Sequence, residues 1–177
     1  MQRRSHRYRA AACISAFAFG AMTASAATAD DLLVKAVSAK DARDLLTGAG
    51  VTVDKTDFNS DGFRITGTIS AGRHVWFDGM VCTGVGESES CNEFKIFTAW
   101  DVGDSTRAQA LAKAMDYNYT SVFADGPGLA LWRMDFIQDG VTMSHLRSAV
   151  AEFLVLRSQA EDVIWPPTMS ANPPKQK

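Results

Sequence analysis

The chain has 177 residues, 46% of them hydrophobic and 21% charged, with a formal net charge of −2. This length suits one ordinary domain with a sizeable core. Outside the first 26 residues, an acidic balance without clustered Lys and Arg argues against nucleic-acid and membrane-surface partners.

Residues 1–26 read as an export signal. Arg3, Arg4, Arg7 and Arg9 form a basic start without acidic residues, an apolar run follows from Ala10 to Ala24, and Ala24-Ser25-Ala26 offers small residues for cleavage. The run is too short and too alanine-rich to anchor the chain, and no later stretch approaches ~20 apolar residues. Cys13 lies early in the run, not at the cleavage point, which argues against a lipid anchor. Cleavage removes four of the 18 basic residues and none of the 20 acidic ones, leaving a net charge of −6. The expected location is periplasmic or secreted, without stable membrane insertion.

Residues 27–37 look like a leader. Ser38 and Asp41 open a short helix with Ala42, Leu45 and Leu46 on one stripe, ended by Gly48 and Gly50. Val51-Thr52-Val53 is β-prone, and Asn59-Ser60-Asp61-Gly62 is a turn. Phe63, Ile65 and Ile69 alternate with Arg64, Thr66 and Thr68, the pattern of a half-buried strand. A turn at Ala71-Gly72 leads to a paired strand from Arg73 to Val81, and Glu93 to Trp100 reads as a central strand because apolar residues fall on both of its faces.

Asp104-Ser105 caps a second helix carrying Ala108, Leu111 and Met115 on one face. Tyr119–Ala124 and Leu129–Phe136 form a hairpin through Asp125-Gly126-Pro127-Gly128. Thr142 caps the last helix, with Met143, Leu146, Val150, Phe153, Ala160 and Ile164 at helical spacing, and with Arg147, Glu152, Arg157 and Glu161 on its polar face. Trp165-Pro166-Pro167 stops it, and residues 166–177 read as a disordered, proline-rich tail. Strands in hairpins that never alternate strictly with helices indicate a single α+β domain over 27–165: an antiparallel sheet of about five to six strands with helices on one side.

Cys82 and Cys91 remain after cleavage, and two thiols in an oxidising compartment form a disulfide. The polar loop between them is stapled by ~2–3 kcal/mol in the chain-entropy model. Catalytic signals are lacking. His74 and His145 have no companion at metal-ligand spacing, and no G-x-S-x-G elbow occurs. Asp57, Asn59 and Asp61 open like a calcium loop, but Thr68 stands where a bidentate Glu is needed, so a hairpin turn is the simpler reading. No cofactor or metal is expected.

Aromatic residues concentrate in the strands. Most are expected in the core, yet Trp76, Phe97 and Trp132 can lie opposite the face used by their strand neighbours. They are the candidate partner-binding residues.

The order of these features resembles the exported branch of the YbjN-domain family, described as bacterial sensory transduction regulators. The resemblance covers residues 32–164. It rests on the Gly140-Val141-Thr142 helix start, on Asn118 after the second helix, and on the cysteine pair. The family often has Trp-Asn where this chain has Tyr117-Asn118, and Tyr117 can fill a similar pocket. The resemblance implies a fold similar to type III secretion chaperones, often dimeric, and a non-enzymatic role in regulation or stress. The expected function is therefore an exported interaction domain that binds a protein segment and can form a homodimer. The alternative is a small-ligand or hydrolytic site between the sheet and the last helix.

Overall fold

The computed structural model describes residues 32–166, apart from 70, 71, 116 and 118. The expected signal peptide, the tail beyond Pro166, Ala71 and Asn118 lie outside the described residues. In chain order the elements are β1 (Leu33–Val34), β2 (Val37–Ser38), α1 (Ala39–Gly48), β3 (Thr52–Asn59), β4 (Gly62–Ile69), β5 (Arg73–Thr83) and β6 (Ser90–Asp101). Then come α2 (Ser105–Ala114), β7 (Ser121–Asp125), β8 (Gly128–Phe136), β9 (Val141–Thr142) and α3 (Met143–Ile164).

The main sheet runs β3-β4-β5-β6-β8-β7, with every pair antiparallel, and β2 adds a seventh strand against the start of β6. β1 and β9 form a separate pair. The sheet is therefore the expected antiparallel one, six strands in its main path and a two-residue seventh. Period-2 alternation assigns its faces. Phe63, Ile65, Val75, Phe77, Phe94, Ile96, Leu129 and Leu131 point toward the helices and are fully buried. α1 packs against β3 and β4, α3 against β6, and α2 against β7 and β8.

Local chemistry explains the helix starts. Ser38 and Asp41 form a complete capping box, with the Asp41 N–H donating to Ser38 Oγ at 3.2 Å and the Ser38 N–H donating to Asp41 Oδ2 at 3.1 Å. Asp104 and Thr142 cap α2 and α3 by accepting from Arg107 N–H and His145 N–H. On the core face Phe63, Phe77 and Phe94 stack, with centroids 6.3 and 4.9 Å apart. Gly79 makes that stack possible, because a Cβ there would come within 2.5 Å of the Phe63 ring.

Three expectations need correction. The expected leader contains β1 and the first residue of β2, and that residue, Val37, is buried beside Cys91. Two-residue strands carry too little periodicity to be read from sequence. α2 ends at Ala114 and Met115 is already extended, so Met115 is buried just after the helix and not on its face. Arg157 and Glu161, assigned to the polar face of α3, are buried. Glu161 accepts from Trp100 Nε1 at 3.1 Å and pairs with Arg157 at 2.7 Å and with Arg73. This ionic node fastens α3 to β5 and β6, and burial lowers the Arg157 pKa from its ordinary value.

Candidate interaction surface

The face of the sheet away from the helices is built by the other half of each strand's alternation. Its central row is set by register: Thr66 opposite Trp76, Trp76 opposite Phe97, Phe97 opposite Trp132, and Trp132 opposite Ser121. The three aromatics singled out from sequence thus stand side by side on three adjacent strands. Trp76 and Phe97 stack at 5.1 Å, and all three are half-buried with no helix above them among the described residues.

The next row runs Arg64, Asp78, Lys95, Met134. Asp78 accepts two hydrogen bonds from Arg64, at 2.7 and 2.8 Å, and lies 3.3 Å from the Lys95 ammonium. Bonding to Asp78 raises the Arg64 pKa above its ordinary value. Both cations also lie over the Phe97 ring, at 5.4 and 4.9 Å from its centroid. One carboxylate therefore holds two cations against the aromatic row and fixes the orientation of Phe97.

Beyond Phe97 the small side chains of Ala99, Ala130 and Ser121 leave a groove of about 670 Å³. Phe97, Trp132, Met134 and Phe123 border it, and Lys95 stands at one end. At the other end of the face Asp101 and Asp125 flank Gly128 in a single row. The lining is almost wholly apolar. Phe123, on the outermost strand, is half exposed at 50%. The sequence reading passed over Phe123, Met134 and Lys95 as groove residues. A usable signal was present, since Phe123 alternates with Ser121 on a short strand without charge before Asp125.

The remaining candidates are placed as follows. Cys82 and Cys91 face each other across β5 and β6 and form a disulfide, with Cα atoms 3.9 Å apart. Val81, just before Cys82, adopts φ 52°, a region that β-branched residues avoid. His74 Nδ1 lies 3.3 Å from Thr68 Oγ1 and 3.9 Å from Asp54, whose carboxylate accepts from Thr68 at 2.6 Å. This group is exposed, has a single carboxylate, and borders neither the groove nor a second cleft of about 200 Å³ at the β3–β4 turn. His145 is exposed in the first turn of α3. Asn59 Oδ1 accepts from the Asp61 N–H at 2.8 Å, an Asx turn, while Asp57 pairs with Lys55. Among the described residues no three His, Cys, Asp or Glu side chains gather as a metal site would require, and no helix is long and apolar enough to cross a membrane.

No family model matches the chain, and no curated protein matches it. One solved structure, described as an uncharacterized protein from Methanothermobacter thermautotrophicus, is similar at a TM-score of 0.46 and 13% identity, covering 72% of this chain and 96% of that one. A likeness of that degree carries no functional argument.

Proposed function

We propose that this chain is an exported, non-enzymatic interaction domain of the bacterial cell envelope, YbjN-like in its role, whose open sheet face engages a segment of another protein. The observation that carries this reading is the row Trp76, Phe97 and Trp132 in cross-strand register on the helix-free face, bordering an apolar groove of about 670 Å³. Aromatic residues supply large contact area at low entropic cost and dominate protein interfaces. Contiguous apolar surface of this kind marks an interaction site. The Cys82–Cys91 disulfide suits the oxidising compartment that an export signal implies. The small-ligand or hydrolytic alternative places its site between sheet and last helix, whereas the groove lies on the opposite face.

The test is site-specific photo-crosslinking in intact cell envelopes. A photoreactive residue at Ala99, in the groove, is expected to capture one defined protein, identified by mass spectrometry, and Phe97→Asp is expected to abolish the adduct. The same residue at Val155, exposed on α3, should capture nothing. Equal capture from both positions, or none from Ala99, would sink the reading. An adduct of twice the chain's own mass would replace the foreign segment with a second copy.

A further inference from the structure

The two outer strands of the main sheet differ in how they guard their edges. β3 carries Asp54, Lys55 and Asp57 along its length, and its register slips between Val53 and Lys55. Charges and bulges of this kind prevent another strand from pairing. β7 has neither: its sequence is Ser-Val-Phe-Ala-Asp, it pairs residue for residue with β8 without a slip, and charge appears only at Asp125. Among the described residues no backbone group of β7 bonds to any strand but β8, so alternate N–H and C=O groups of its outer side are free to pair. The unguarded edge is also the one that borders the groove.

We propose that β7 accepts an added antiparallel strand, an extended segment of another protein with the pattern basic–x–apolar–x–aromatic read from its N-terminus. This rests on the interaction-domain reading and specifies how the segment binds. Residues paired across an antiparallel ladder project from the same face. The first residue of the pattern lies opposite Asp125, so a cation there meets its carboxylate. The third lies beside Phe123. The fifth lies opposite Ser121, where the short hydroxymethyl side chain leaves a path over the strand to Trp132. A second copy of this chain fits poorly. Pairing β7 with itself along its full length places the Asp125 carboxylate opposite Ser121, at the rim of the apolar groove.

The test uses the full chain and the synthetic peptide acetyl-Thr-Lys-Thr-Val-Thr-Phe-Thr-amide, with a control peptide in which Lys and Phe exchange places. The first peptide is expected to bind saturably, more tightly than the control, and to slow amide hydrogen exchange within β7. Ser121→Trp should fill the path to Trp132 and weaken binding by at least about tenfold, with an unchanged melting temperature. As an independent variant, Asp125→Lys should weaken the Lys peptide and favour a peptide with Glu in its place. Binding without slower exchange in β7, indifference to both variants, or no saturable binding would each overturn strand addition. The crosslinking result at Ala99 stands apart from these outcomes and decides the interaction-domain reading separately.

Discussion

The two faces of the sheet are made from the same strands and nearly the same residue types, yet they are finished differently. On the helix side Phe77 is completely buried and stacked between Phe63 and Phe94. On the open side Phe97 stacks on Trp76, is held by Arg64 and Lys95, and remains half exposed. The first aromatic cluster is closed by α1 and α3, and the second by nothing among the described residues. The difference separates residues that hold the fold from residues that the fold holds up.

The largest expected effect comes from exchanging the same side chain on each face. Phe77→Ala should cost about 3–5 kcal/mol, through lost transfer energy and the cavity left behind. Phe97→Ala should cost no more than about 1.5 kcal/mol, from lost stacking and cation contacts at a half-wet site. Urea unfolding of both variants measures the gap, and equal losses would erase the distinction between the faces.

Cys82→Ser comes next, at about 2–3 kcal/mol by loop-closure entropy, with far-UV circular dichroism unchanged. Loss of secondary structure instead would make the bridge essential to folding rather than a staple. The smallest effect lies at the Arg43–Glu87 clamp, where two hydrogen bonds of 3.1 and 2.7 Å tie α1 to the disulfide loop. Bonding to Arg43 lowers the Glu87 pKa below its ordinary value. A depressed folded-state value means a contribution that is present above the unfolded-state pKa and fades as pH falls through the folded one. Glu87→Gln should therefore lower stability slightly and evenly at neutral and alkaline pH, with the deficit shrinking as pH falls, so that the acid side of the stability–pH profile is flatter. A change confined to alkaline pH would contradict that assignment.

Much of the sheet was readable because alternation declares itself: Phe63-Arg64-Ile65-Thr66 announces its two faces without any knowledge of neighbours. The candidate aromatics emerged for the same reason, as members of strands whose other face was already apolar. Alternation says nothing about which residues stand opposite one another, so the alignment of Trp76, Phe97 and Trp132 in one row needed the register. The groove was hidden because it consists of what is missing, the small side chains of Ala99, Ala130 and Ser121 between larger ones. Helical periodicity assigns the charges of Arg157 and Glu161 to water, and only the tertiary contacts with Trp100 and Arg73 reveal that they pair inside.

The covalent rung between Cys82 and Cys91 joins strands only nine positions apart in sequence, at the centre of the sheet. β5 and β6 can therefore find each other early, at little cost in chain entropy. β4 and β8 then extend an already pinned pair, and β3 and β7 close the series at its margins. Seen as a sequence of events, the sheet grows outward from its lock. Its amides should exchange in the reverse order, slowest beside the rung and fastest along the outer strands β3 and β7.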